Sequence, residues 1–221
     1  MGTSSKVRWQ KGIEDFTPEP GHRVLGISGS PRKHGNSDTL LAHVLAGVNE
    51  EQLPTATVPL RDYQFESCIG CEQCRKDRYC SGLKDGMHLI YPEIIGCQGL
   101  VVVSPTYNYN ITSWMKAFID RLYCFYEFNN ERPRGWRSHL ANQNRKALIV
   151  AVCEQEDPKD MGFTVDAMRL PLEALGYDIQ GELAAFQAFE KGAVKRQQQV
   201  LDEAFTLGKQ LAVALRAEAS T

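Results

Sequence analysis

From residue 23 onward the chain alternates short apolar runs with longer stretches in which apolar residues recur at helical spacing. The first run, 24–27, ends abruptly in Ser28-Gly29-Ser30-Pro31, which reads as a buried strand and its exit loop. A helix follows from about Ser37. There Ser37 and Asp38 can cap free amides, and Leu40, Leu41, Val44, Leu45 and Val48 share one face. Further strands are predicted at 55–60, 100–104, 147–153 and 177–184, with helices at 86–97, 112–126, 161–175 and 194–216. Strands alternating with helices in this way predict an α/β fold built on a doubly wound, five-stranded parallel sheet. Ligands of such sheets bind beyond the carboxyl ends of the strands, where connections part to opposite faces, so the loops after Ile27, Ser104 and Cys153 are the ones to inspect. Residues 1–22 are polar, carry Pro18 and Pro20, and show no period. They are expected to form an N-terminal arm outside a domain covering 23–221.

The first of these loops, 28–37, joins a buried strand to a helix N-terminus and is rich in hydroxyls, small residues and positive charge. Amides at a helix start offer unpaired donors and the positive end of a dipole, to which Ser28, Ser30, Asn36 and Ser37 add side-chain hydrogen bonds. Neither G-x-G-x-x-G nor G-x-x-x-x-G-K-[ST] is present, so a phosphate monoester suits the loop better than a dinucleotide or a triphosphate. A polar turn with a capped helix accounts for the same residues without a ligand. The loop after Val152 reads Cys153-Glu154-Gln155-Glu156-Asp157-Pro158, and its three acidic residues are expected to point away from any phosphate or to meet a partner.

Cys68, Cys71, Cys74 and Cys80 follow C-x2-C-x2-C-x5-C between the second strand and the second helix. Two-residue gaps let a loop wrap successive thiolates around one centre, and the fourth thiol completes the ligand set of a [4Fe-4S] cluster. Structural zinc and an empty or redox-active thiol loop fit the same four residues. Arg75, Lys76 and Arg78 would offset the negative charge of thiolates held there. Cys97, Cys124 and Cys153 lie in apolar surroundings and read as buried hydrophobes.

The remaining composition narrows the field. A formal net charge of -2 gives no reason to expect a nucleic-acid partner, and no apolar run approaches the roughly 20 residues of a membrane span. The first twenty residues lack the apolar core of a secretory signal, so a cytoplasmic location is expected, where clustered thiols favour metal or redox chemistry over disulfides. No hydrolytic motif appears. The basic stretch 131–146, with Arg132, Arg134, Arg137, Arg145 and Trp136, reads as a solvated loop or a docking site for an acidic electron donor or a nicotinamide phosphate. The aromatic run Tyr123, Phe125, Tyr126 and Phe128 reads as a subunit contact.

The segments GISGSPRKHGNSDTLL, SPTYNYNITSWMKAFIDR and EKGAVKRQQQVLDEAFTLGKQLA, in that order, are similar to NADPH-dependent FMN reductases and their iron-sulfur flavoprotein relatives. The resemblance implies a flavodoxin-like fold of strand order 2-1-3-4-5 with a cysteine-rich insertion, 66–86, after the second strand. It implies FMN held by Ser28, Ser30, Pro31, Arg32, Asn36 and Ser37 at its phosphate and by Pro105, Thr106, Tyr107, Asn108, Tyr109 and Asn110 at its ring. It also implies that Cys68, Cys71, Cys74 and Cys80 carry the cluster. The expected activity is that of a flavin-dependent oxidoreductase moving electrons between cluster, FMN and an external donor or acceptor, with no side chain acting as acid, base or nucleophile. The donor is expected to be ferredoxin or NAD(P)H and the acceptor a small molecule, and the chain is expected to form a homodimer or homotetramer. The alternatives are a NAD(P)H-dependent FMN or quinone reductase without a cluster, and a non-catalytic electron carrier or zinc-stabilised binding module.

Overall fold

The computed structural model describes residues 24–219; the arm expected at 1–22 lies outside them. Strand β1 (Val24–Ser28) is buried along its whole length, as expected of a central parallel strand covered on both faces. Around it β2 (Thr55–Pro59), β3 (Gly99–Pro105), β6 (Lys146–Val152) and β7 (Asp178–Ala185) complete a five-stranded sheet of order β2-β1-β3-β6-β7. Every pairing in it is parallel. With the two strands outside this sheet left aside, that is the expected order 2-1-3-4-5.

Side-chain alternation divides the core into two layers. Leu25, Ile27, Leu100, Val102, Ile149 and Ala151 face one cluster, which also contains residues of α3 (Met87–Gly96), α4 (Ser113–Arg121) and α5 (Thr164–Ala174). Val24, Val101, Val103, Leu148, Val150 and Val152 face the other, with α1 (Asn36–Glu50) and α6 (Gln198–Ala219). The chain therefore leaves β1 toward one face and β3 toward the other, and a crevice opens between these two exits. Among the described residues no helix is long and apolar enough to cross a membrane.

Three departures from the expected elements have local causes. Residues 126–138 hold a short antiparallel pair, β4 (Tyr126–Phe128) with β5 (Trp136–Ser138). Strands of three residues are too short to show an alternation. Much of the aromatic run is spent inside the chain: Phe125 is buried against Tyr91, Tyr123 stacks on Phe128 at 5.2 Å between centroids, and Tyr126 meets Trp136 edge-on at 5.3 Å. Arg145 is not solvated. It is buried and donates to the carbonyls of Ile94, Ile95 and Cys97, capping the C-terminus of α3, where a cation is favoured. The third departure is a four-residue helix, α2 (Cys74–Asp77), inside the cysteine loop.

On the layer behind the site, α1 and α6 meet backbone to backbone. A Cβ at Gly47 would sit 2.0 Å from the Phe205 carbonyl oxygen, and one at Gly208 would sit 1.9 Å from that of Val44. Neither clash can be relieved by rotating a side chain. Gly208→Val is expected to lower the unfolding free energy by about 2–3 kcal/mol through overpacking, read as a reduced urea midpoint; an unchanged midpoint would show that the helices separate freely.

Candidate functional site

The loop leaving β1 is braced by one carboxylate. Asp38, in the first turn of α1, accepts from the Ser28 hydroxyl (2.9 Å), the His34 amide (2.7 Å) and both terminal nitrogens of Arg61 (3.0 and 2.9 Å). Arg61 also donates to the Ser30 carbonyl at 3.1 Å. Asp38 thus acts as a loop brace rather than the helix cap expected of it, and its charge is matched by Arg61. At the residue preceding α1, Gly35 provides no side-chain cap. The amides of Asn36, Ser37 and Asp38 therefore begin the helix without acceptors among the described residues, the arrangement that favours an anion. The Ser37 hydroxyl is likewise without a partner among the described residues.

Gly29 seats this loop on α4. The Thr112 hydroxyl accepts the Met115 amide as N-cap and donates to the Gly29 carbonyl at 2.8 Å. A Cβ at Gly29 would lie 2.9 Å from that of Met115.

The second loop is a rigid hairpin. Tyr107 and Asn110 exchange backbone hydrogen bonds of 2.7 and 3.1 Å, and Asn108 and Tyr109 between them both take left-handed φ, 47° and 62°. Its base is fixed by the Thr106 amide on the Val152 carbonyl, and its tip by the Phe163 amide on the Tyr109 carbonyl. Gly162 permits that close approach, since a Cβ there would fall 2.3 Å from the Tyr109 oxygen.

The two loops face each other across a cavity of about 360 Å³. Of the residues predicted to hold a ligand here, Ser30, Arg32, Asn36, Ser37, Pro105, Thr106, Tyr107 and Asn108 line it, whereas Ser28, Pro31, Tyr109 and Asn110 do not. Asn36 is largely committed to the fold: its amide nitrogen donates to the carbonyls of Ala188 and Glu190, and its oxygen accepts the Val194 amide. That clamp draws the loop after β7 over the cavity, adding Ala188, Phe189 and Lys191 to its wall. Arg32 closes the same side, donating to the Phe189 carbonyl at 2.8 Å with its guanidinium 5.3 Å from the ring centroid. This wall was not foreseen, because no pattern in the sequence announces that an asparagine will reach 152 residues ahead. Glu154 also borders the cavity, contrary to the expectation that the acidic loop turns away; Arg32 and Lys191 share that border.

A second cavity, of about 330 Å³, is bordered by Cys68, Cys71, Cys74 and Cys80 together with Arg121 and Tyr123. Burial first, and then the neighbouring Cys80, Cys68 and Cys71, push the Cys74 thiol up to about 11. Mutual repulsion of this kind is what a cationic centre relieves. The approach is tight, because a Cβ at Gly82 would stand 2.5 Å from the Cys71 sulfur. Among the described residues no group of three or more His, Cys, Asp or Glu side chains could hold one metal ion. The thiols surround a space instead of meeting at a point. Cys97, Cys124 and Cys153 are buried, as expected of core cysteines. The helical spacing of Trp114, Phe118, Ile119 and Leu122 reads as a core face, yet Trp114 is 38% exposed while Phe118 and Leu122 are buried.

Both ends of the cysteine loop are tied to Arg121, which was not singled out in the sequence although its spacing from Phe118 puts it on the apolar face of its helix. Its Nη1 donates to Asp85 (2.5 Å) and to the Glu66 carbonyl (2.9 Å), and its Nη2 to the second Asp85 oxygen (3.0 Å). Asp85 also accepts the amides of Glu66 and Met87. Burial alone would raise the Asp85 carboxyl, but Arg121 and the two amides outweigh it and hold the group below the usual carboxylate range.

A family model described as NADPH-dependent FMN reductase matches residues 22–156. An iron-sulfur flavoprotein of Methanocaldococcus jannaschii is 32% identical over 99 residues, covering 45% of this chain and 51% of the relative. The chain spans about half the length of the curated relatives it matches. Among solved structures, a flavone reductase superposes with a TM-score of 0.66 at 14% identity, over 90% of this chain and 65% of its own. A flavodoxin from the domain Archaea superposes with a TM-score of 0.52 at 10% identity, over 88% of this chain and 99% of its own. These two likenesses show the flavodoxin-like fold.

Because Asp85 is depressed, its contribution to stability is fully present above the ordinary Asp range and is lost as pH falls through the lower folded value. The urea midpoint should therefore drop between about pH 5 and about pH 3, and drop less in Asp85→Asn. Equal acid sensitivity in the two proteins would show that the buried pair carries none of it.

Proposed function

Because the chain belongs to the NADPH-dependent FMN reductase family, we propose that it is a flavin-dependent oxidoreductase in which FMN exchanges electrons with a [4Fe-4S] centre on the cysteine loop and with an external donor or acceptor. The observation that carries this reading is the pair of cavities joined by α4. Thr112, at the start of that helix, holds the anion-binding loop, and Arg121, at its end, borders the four thiols. Nine residues separate the ends by about 13 Å. The relatives named iron-sulfur flavoprotein support the cluster.

When bound, FMN supplies exchange between one- and two-electron transfer, and an iron-sulfur centre supplies single electrons. The chain's own residues bind and orient. The uncapped amides of 36–38 and the free Ser37 hydroxyl receive the phosphate, with Arg32 and Lys191 offsetting its charge. The rigid turn at 107–110 presents Thr106, Tyr107 and Asn108 to the ring, and buried Val152 floors it. Cys68, Cys71, Cys74 and Cys80 provide the thiolates. No side chain is required as nucleophile. Trp136, 54% exposed on β5, offers an apolar surface for assembly into a homodimer or homotetramer.

A second reading, a NAD(P)H-dependent FMN or quinone reductase that uses no cluster, is favoured by the exposure of Tyr107 and Phe189, 46% and 54%, which leaves the ring side of the first cavity open to a second planar ligand.

Protein purified without oxygen is expected to carry FMN, iron and sulfide by absorption and elemental analysis, and Ser37→Ala should weaken FMN binding about tenfold, the loss of one hydrogen bond to a charged group. Preparations that stay colourless with excess FMN would refute the flavin site. Cys71→Ala should lose iron and keep FMN. Full iron content in that variant would remove the proposed ligation, zinc in place of iron would point to a binding module, and rapid bleaching by NAD(P)H of iron-free protein would favour the second reading.

A further inference from the structure

Arg121 is 2% exposed, and its fork is directed away from solvent onto Asp85 and the Glu66 carbonyl. These two residues stand at the two ends of the loop that carries the four cysteines, so one guanidinium fastens the point where the loop departs and the point where it returns. Arg121 also borders the cysteine cavity, whereas Asp85 does not. The ion pair is therefore polarised across the cavity wall, its positive member toward the thiols and its negative member behind. One guanidinium nitrogen remains: Nε is buried and has no acceptor among the described residues. A buried donor without a partner is costly and rare in proteins of its own accord. An anionic centre beside it would give Nε a counterpart that the described residues do not supply.

We propose that Arg121 is a positioning residue that closes the cysteine loop and, as the buried cation on its wall, raises the reduction potential of the centre held there. The inference rests on the reading of that centre as an iron-sulfur cluster. Reduction adds one electron to a group already made negative by thiolates, so a fixed cation stabilises the reduced form more than the oxidised one. Asp85, behind the guanidinium, opposes this effect from farther away. The two members of the pair should therefore act with opposite sign, which a role confined to fastening the loop would not produce.

The test is a redox titration, with dithionite as reductant, of anaerobically reconstituted wild-type, Arg121→Met/Asp85→Asn and Asp85→Asn proteins, following cluster and FMN midpoints separately. In the double variant the ratio of reduced to oxidised cluster at fixed potential should fall about tenfold, a midpoint lower by about 59 mV for one electron. In Asp85→Asn the midpoint should rise. The FMN midpoint should stay in place in both, and Lys209→Gln, on α6 and paired with Glu51 away from the cysteine cavity, should change neither. Unchanged or same-direction cluster shifts in the two variants would overturn the electrostatic role. Should the double variant bind FMN but take up no iron, the loop-closing role is supported, and Arg121→Lys, which keeps the charge and loses the fork, decides the rest: a near-native midpoint sustains the proposal, and one as low as tenfold against reduction overturns it. Wild-type protein that takes up no iron or sulfide would sink the cluster reading itself, and this inference with it.

Discussion

The connections leaving β1 and β3 must pass to opposite faces of the sheet, and from that constraint nearly everything else in the site follows. A parallel sheet returns its chain by crossovers of one hand, so a central strand flanked on both sides commits its neighbours to different layers. Beyond Ser28 and Pro105 no backbone remains to fill the gap. The chain lines it with the start of α1, whose amides lack carbonyl partners, and with a hairpin closed on itself at Tyr107 and Asn110. Polar backbone that is unsatisfied or exposed is gathered at the one place where a polar ligand can meet it.

The cysteine loop presents the opposite problem, since it has little core of its own. Most of residues 66–78 are exposed, and the short α2 has no buried residue. What orders the segment is electrostatic: a buried ion pair at its base, an Arg75 guanidinium over the Phe128 ring, and Glu127 between Arg78 and Arg137. Of these the first is shielded from water and dominates; the exposed pairs contribute little by comparison. The β4–β5 hairpin therefore gives the loop a backing surface, which explains why so aromatic a segment lies beside it.

Legibility in the sequence followed burial and locality. The three central strands were readable because strands covered on both faces are near-continuous apolar runs, as in LIVAV of β6, whereas the edge strands TATVP and DIQGELAA are only partly buried and were readable from their place between helices; α1 was readable from Leu40, Leu41, Val44, Leu45 and Val48. Of the residues expected to hold a ligand, Ser30, Arg32, Ser37 and Thr106 line the first cavity because they sit next to strand ends, where doubly wound sheets open their crevice. Asn36 lines the same cavity, although its amide is spent holding Ala188, Glu190 and Val194. Long-range partnerships leave no local trace. The Arg121–Asp85 pair spans 36 residues and the Arg32–Phe189 contact 157, and neither spacing has a period. Arg145 shows the same limit in a milder form: its neighbourhood is basic and irregular, yet its own head group is consumed by three carbonyls at the C-terminal end of α3, those of Ile94, Ile95 and the capping Cys97.

The glycine contact between α1 and α6 has a consequence on the far side of the first helix. With main chain resting on main chain at Gly47 and Gly208, no rotamer change can absorb a roll or a slide of α1, which is mounted as stiffly as a shaft in a fixed bearing. Its opening turn is thereby aimed from behind the sheet, and the alignment of donors at the crevice is inherited from a surface that never meets the ligand. Sequence drift along α6, remote from any chemistry, would be felt first as misdirection at that mouth.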